Sequence, residues 1–469
     1  MSLPHVPIVR WGRDYDSLDR LEVVDHRTGR PVAQVGQANP GMIRRDVKKA
    51  GVLRRYKVDQ LLDICTRAGQ LFLHETLPLS AGTTQSVQQY IEMLSATSGL
   101  PHSLVRSNMS KIHEVFVQMP TILCGLTRGL DAAVIDGGIG EQSGSPVSFY
   151  PDTKCLGVVM PSNSPGVNSI WMPAIPLKVP VLIKPGREDP WTPMRIIRAF
   201  LAAGCPDEAF GFYPTDHEGA DTILRTCDRG IIFGDVASTS RYGEDQHVQI
   251  HGPGFSKIIL GEDVVDQWSK YLDLIVESIC ANGGRSCINA SVIVVPRQGL
   301  EIANAVARRL EDIQPRTIDD NEAILSAFPN PSIAEAINAT ISQALGEPGA
   351  TECTTGPRLI PHDGALYLRP TIVHCDSISH PLANREFLFP FATVVEMPQD
   401  EMLSLIGPSL VVTAITDTPE FIADLLACPQ IDRLNLGTVP TSRVSWNQPH
   451  EGNIFELLYR RRAIQKAGI

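Results

Sequence analysis

Leu156-Gly157-Val158-Val159-Met160-Pro161-Ser162-Asn163, Pro180-Val181-Leu182-Ile183-Lys184-Pro185 and Arg229-Gly230-Ile231-Ile232-Phe233-Gly234 are three short apolar runs, each closing on polar or turn-forming residues. Between the first two, Trp171 to Leu177 is apolar and reads as helical; between the second and third, Pro193 to Ala203 reads as a helix. Continuous apolar strands that alternate with helices predict a parallel sheet covered on both faces. Sheets of that kind bind ligands beyond the carboxyl ends of their strands. Pro161-Ser162-Asn163, Lys184-Pro185-Gly186 and Gly234-Asp235 all stand at such ends, so one crevice is expected to gather them.

Upstream of this core, Leu21 to Asp25 and Pro31 to Val35 read as short strands separated by turn residues. From Pro40 to about Leu130 the pattern is helical, with apolar residues at i, i+3, i+4 in Val58 to Cys65 and Val87 to Leu94. The Gly- and Ser-rich stretch from Asp136 to Tyr150 predicts a hairpin or crossover. Downstream, a second α/β series runs from near Ser256 to about Val444, opening on Lys257-Ile258-Ile259-Leu260 and a helix from Val264 to Ala281.

A chain of 469 residues predicts more than one domain. Its net charge of -11 argues against nucleic acid and anionic membrane surfaces as partners. Met1 to Pro7 lacks the basic start and apolar run of a signal peptide, and no apolar stretch is long enough for a bilayer. The ten cysteines are scattered without a C-x-x-C pair, so neither a disulfide framework nor a metal site is predicted, and a reducing cytoplasm is expected.

One cysteine stands apart. Ala281-Asn282-Gly283-Gly284-Arg285-Ser286-Cys287-Ile288-Asn289 sets Cys287 in a small, polar, glycine-bearing turn between a helix and the strand-like Ala290 to Val295. A thiol there is reachable by substrate and is a candidate nucleophile once ionised, whereas an ordinary intracellular cysteine is a small core hydrophobe.

The order of motifs resembles the aldehyde dehydrogenase family. Pro161-Ser162-Asn163-Ser164-Pro165 is similar to its Pro-Trp-Asn-Phe-Pro, Val181 to Pro185 to its Val-Val-Leu-Lys-Pro, and Gly284-Arg285-Ser286-Cys287 to its Gly-Gln-x-Cys. Tyr367 to Ile372 followed by Arg385 to Pro390 resembles Pro-Thr-Ile and Glu-Glu-Ile-Phe-Gly-Pro. The resemblance implies an α/β fold in three parts. A doubly wound cofactor domain would comprise residues 1–135 and 151–254, an α/β catalytic domain 255–446, and a small oligomerisation element 136–150 and 447–469. It further implies NAD(P)-dependent oxidation of a small-molecule aldehyde through a thiohemiacetal and thioester on Cys287, with Asn163 helping to hold the oxyanion. Pro161, Lys184, Arg187, Gly234 and Glu386 would surround NAD or NADP, and a homodimer or homotetramer is expected.

Several departures leave readings open. Where hydrolytic members carry Glu-Leu-Gly-Gly, this chain has His251-Gly252-Pro253-Gly254. His251 is then a replacement base for water, a mark of the branch that uses coenzyme A as co-substrate or reduces acyl-CoA, or a structural histidine. Arg187 suits a 2′-phosphate and hence NADP, but Glu188 follows it, and a one-residue slip reverses that preference. Asp235 beside a pyrophosphate is unfavourable unless it turns away, and Leu388 and Phe389 reshape the cofactor pocket. Trp446 to Asn453 replaces a Pro-Phe-Gly-Gly loop and offers His450 and Glu451 to the substrate mouth. Arg460-Arg461-Arg462 reads as a solvated helix end or an oligomer contact. A catalytically silent, nucleotide-binding relative is the reading from outside enzymology.

Overall fold

The computed structural model describes residues 3–47 and 52–465, so Met1, Ser2 and the last four residues of the expected 447–469 element lie outside it. Leu156–Val159, Val181–Lys184, Phe210–Phe212, Arg229–Phe233 and Val248–His251 are all strands, joined in parallel as the apolar runs predict. Across the sheet the order is 248–251, 229–233, 156–159, 181–184, 210–212, then the antiparallel edge strands Ile8–Arg10 and Arg13–Tyr15. The chain therefore winds outward from Leu156–Val159 in one direction and returns to add Arg229–Phe233 on its other side. That reversal leaves a crevice at the carboxyl ends of these two strands.

Helices Val58–His74, His102–Val117 and Trp191–Ala202 share one large apolar core with this sheet. The expected helix at Trp171 to Leu177 is instead one short 3-10 turn, Met172–Ala174, preceded by another, Pro165–Ile170. Two prolines, at 173 and 176, interrupt the α-helical hydrogen bonding there.

A second seven-stranded sheet has Ser256–Leu260 near its centre. Ala290–Val295, Phe391–Glu396 and Thr371–Cys375 lie to one side, and Ser409–Ile415 and Ile431–Leu436 to the other, all parallel. The segment leading to the cysteine turn is a 3-10 stretch, Val265–Tyr271, continued by the α-helix Leu272–Cys280.

The hairpin expected in Asp136 to Tyr150 is present as Ile139–Gln142 and Ser145–Pro151. Tyr459–Arg462 pairs antiparallel with its second strand, so the arginine run is a strand rather than a helix end. Arg460 reaches Asp152 at 2.7 Å, and Arg462 lies over the Tyr150 ring at 4.4 Å, which explains why three cations tolerate adjacency there. No helix among the described residues is long and apolar enough to cross a membrane.

The cysteine turn is wedged where backbones meet. Asn282, Gly283 and Gly284 take three successive positive φ values of 51°, 66° and 69°. A Cβ on Gly284 would lie 2.3 Å from the Pro390 nitrogen, and one on Gly254 would lie 1.9 Å from the Cys287 carbonyl oxygen. Both neighbours are backbone and neither can swing aside. Gly284→Ala is therefore expected to cost about 2–4 kcal/mol in urea unfolding, through the positive φ and the clash together.

Candidate active site

Asn289 shapes the turn that carries Cys287. Its amide donates to the carbonyls of Ser278 (3.0 Å) and Ala281 (2.9 Å), and its side-chain oxygen accepts from the Ser286 N–H (2.9 Å). Ser256 Oγ donates to the Cys287 carbonyl at 2.8 Å, tying the turn to the central strand of the second sheet. Arg285 is buried and donates to the Ser98 carbonyl at 2.9 Å, tying it to the helical layer of the first. The thiol thus sits on the seam between the two sheets.

Asn163 does not line the cavity that Cys287 faces. Its side-chain amide donates to the Arg285 carbonyl at 2.8 Å, bracing the cysteine turn from the first sheet. A second brace was not legible in the sequence: Asn108 donates to Asn282 Oδ1 (2.7 Å), while Asn282 donates to Ser164 and Ser286 hydroxyls at 3.0 Å each.

The cavity encloses about 880 Å³. Its wall is largely apolar, with Val115, Ile122, Leu126, Ile170, Ile288 and Trp446, and its polar side chains include Lys111, Gln249, His450 and Glu451. His251 is buried outside that wall. It is the register partner of Phe233 on the neighbouring strand, and the two rings stack at 4.7 Å. Its Nδ1 lies 3.0 Å from Glu451 Oε2, and His450 Nδ1 lies 3.7 Å from the same oxygen. Gln249, two residues before His251 and so on the same face of the strand, donates to the Glu451 carbonyl at 2.7 Å. The weakly motivated His450 and Glu451 are thereby drawn into one cluster with His251, and His450 is the imidazole that reaches the cavity. The ligand atoms of these three residues lie within 4.8 Å of one another, a grouping that the cysteine spacing gave no reason to expect.

Charge near the thiol is finely opposed. Burial, then Glu451 and Glu386, push the Cys287 thiol well above its ordinary range, and Lys111 pulls it back. Burial alone would raise Glu451, but the two imidazoles beside it hold the carboxyl down at about 2. Burial lowers His450, keeping it neutral and able to accept a proton.

Of the cofactor-side candidates, Lys184 and Arg187 share one wall, while Pro161, Gly234 and Glu386 lie off it. Lys184 and Arg187 line a second cleft of about 1180 Å³ with Arg20, Gly186, Pro214 and His217. A Cβ on Gly186 would lie 2.4 Å from the Pro161 carbonyl oxygen, so Pro161 fixes the floor by backbone contact. Glu188 is not on this wall: its N–H is taken by Ser162 Oγ (3.2 Å) and its carbonyl by Thr97 (2.6 Å). Gly234 packs against Ser238, and Asp235 turns inward to cap the short helix Val236–Thr239, accepting from the Ser238 N–H at 2.8 Å. Glu386 accepts from the Phe255 N–H at 2.7 Å, and burial pushes it up to about 7. Lys257 is buried nearby, donating to the Phe255 carbonyl (2.6 Å) and Ser409 (2.9 Å), and burial brings it down to about 7.

The family model described as the aldehyde dehydrogenase family matches residues 13–406. The chain belongs to that family. It shares its fold with the aldehyde dehydrogenase KauB from Pseudomonas aeruginosa, at 16% identity and TM-score 0.80 over 99% of this chain and 97% of that one. An NAD-dependent aldehyde dehydrogenase from Sinorhizobium meliloti matches at 16% identity and TM-score 0.79, covering 98% and 94%. The NAD+ complex of an aldehyde dehydrogenase from Bacillus cereus matches at 15% identity and TM-score 0.78, covering 98% and 96%. The matched family span includes His251 and ends before His450 and Glu451.

Removing the Glu451 charge is expected to ease ionisation of Cys287. Glu451→Gln should speed iodoacetamide alkylation of Cys287 in mildly alkaline buffer by roughly threefold to tenfold, read by mass spectrometry against exposed Cys124. A rate equal to that of the native protein would show that Glu451 does not govern the thiol.

Proposed function

We propose that the protein oxidises an aldehyde with a nicotinamide dinucleotide as acceptor, by way of a covalent adduct on Cys287. The observation that carries this reading is the placement of Cys287 on the wall of an apolar cavity, beside His450 and Glu451, in a chain of the aldehyde dehydrogenase family.

The thiol of Cys287 is held protonated by burial, so attack on the carbonyl carbon requires a base at that moment. His450 fits the task, because its Nδ1 faces Glu451 and its Nε2 is the nitrogen left for the cavity. As the C–S bond forms, the carbonyl oxygen gains charge, and the Cys287 N–H is the backbone donor placed to meet it. Asn163 contributes by fixing the turn that presents this N–H.

The residues of the second cleft fit a dinucleotide. Lys184 ends its strand on the wall of this cleft, with an amine that has no hydrogen-bond partner among the described residues, and Gly186 leaves room for close backbone approach. Lys184 would hold the adenosine ribose and Glu386 the nicotinamide ribose; Arg187, on the same wall, suits a 2′-phosphate. When bound, this group accepts the two electrons that convert the thiohemiacetal to the thioester.

Release of the acyl group then needs water and a base. His450 first gives up the thiol's proton to solvent; it then takes a proton from water as the oxygen attacks the thioester carbon, and passes that proton to the Cys287 sulfur as the C–S bond breaks and the acid is freed. Glu451 keeps its charge throughout the neutral range and steadies His450, while His251 positions Glu451 from behind. His251 is thus a positioning residue here rather than the base itself.

Stopped-flow traces at the reduced-nicotinamide band test this. Cys287→Ala should abolish turnover, and His450→Ala should keep the first burst while slowing steady-state turnover by about a hundredfold, within the usual range for a general base. A burst that stalls until coenzyme A is added would assign release to acyl transfer instead of hydrolysis.

Cofactor binding should also depend on pH. Glu386 is a carboxylate only above about 7, so affinity for NAD should strengthen from roughly pH 6 to roughly pH 8, and Glu386→Gln should flatten that slope in calorimetry.

A further inference from the structure

Lys111 lies on helix His102–Val117 and lines the Cys287 cavity. It also lines a separate polar cavity of about 570 Å³ with Ser107, Asn282, Ser286 and Ser442. Lys111, Ser286 and Ile288 belong to both walls, so the two spaces adjoin at the cysteine turn. Among the described residues Lys111 makes no hydrogen bond and no ion pair. Glu114, one turn further along the helix, is exposed and shares with Lys111 only a third cleft.

The polar cavity offers donors. The side-chain amides of Asn108, Asn282 and Asn289 are spent on bracing the turn. Ser286 Oγ accepts from Asn282, which leaves its O–H free, and the hydroxyls of Ser107 and Ser442 have no partner among the described residues. No carboxylate lines this space. Burial disfavours the Lys111 ammonium, Glu114 offsets this only from a distance and without an ion pair, and an anionic ligand would supply a direct partner. Ammonium and hydroxyl donors without a competing acceptor are the chemistry that selects an oxyanion.

We propose that Lys111, with the hydroxyls of Ser107, Ser286 and Ser442, forms an oxyanion-binding subsite, and that the substrate is an aldehyde carrying a carboxylate or phosphate a few bonds from its carbonyl. The subsite rests on the reading of Cys287 as the nucleophile, because it places the charged group beside the thiol. The apolar wall then receives the remainder of the chain.

The test compares kcat/KM for succinate semialdehyde and its uncharged primary amide, with glycolaldehyde phosphate as a third substrate. In the native enzyme the carboxylate should exceed the amide by about tenfold or more, the scale of one charge-assisted hydrogen bond. Lys111→Met should bring the two within about twofold, and Lys111→Arg should keep part of the preference. The ranking of the phosphate against the carboxylate names which oxyanion the subsite takes. Equal or faster turnover of the amide by the native enzyme overturns the subsite and leaves the Cys287 chemistry standing. A proportional loss on all substrates in Lys111→Met assigns the lysine to the thiol alone and also overturns it. Absence of turnover on every aldehyde overturns the Cys287 reading, and the subsite with it.

Discussion

Everything about this site depends on two backbone contacts that leave no room for a side chain. The Cys287 carbonyl lies against Gly254, and the Phe389-Pro390 peptide lies against Gly284, so the cysteine turn is clamped on two sides by main chain. Main chain is stiffer than side chain, and a nucleophile held this way keeps its position without relying on its own packing. The hydrogen bonds of Asn289, Ser256 and Asn163 then fix the turn's remaining freedom. Loss of either glycine would move the thiol relative to the cavity and to the strand ends that face the cofactor cleft.

Within that clamp, the charges near the thiol oppose one another. Cys287 is disfavoured as a thiolate by burial and by two carboxylates, one of which, Glu386, is itself pushed up by burial. Glu451 stays charged because two imidazoles share one of its oxygens. Lys111 is the cation that favours the thiolate. A site of this kind keeps its nucleophile quiet until substrate enters, since a change of charge in the cavity alters all of these groups together.

The cofactor side is organised differently. Pro161, Lys184, Gly186 and Arg187 follow the ends of parallel strands, where strand geometry alone determines position, and Asp235 caps the short helix that follows its strand.

The parallel sheet and the helices beside it were legible in the sequence, because apolar runs and their turn-forming ends are local patterns with a local cause. So was the special setting of Cys287, since glycines before a polar turn report backbone geometry directly. The helix expected at Trp171 to Leu177 was missed because prolines outweighed an apolar pattern that cannot itself tell α from 3-10. Lys111 was invisible: it lies one position from the buried Ile112 on an amphipathic helix, where a lysine normally faces water. The meeting of His251 with Glu451 joins residues far apart in the chain, and nothing local marks it. Sequence determined the elements and the turn, because short-range sterics and periodicity decide them; only the tertiary structure decided which charges face Cys287, because that depends on which distant loops the two sheets bring to one seam.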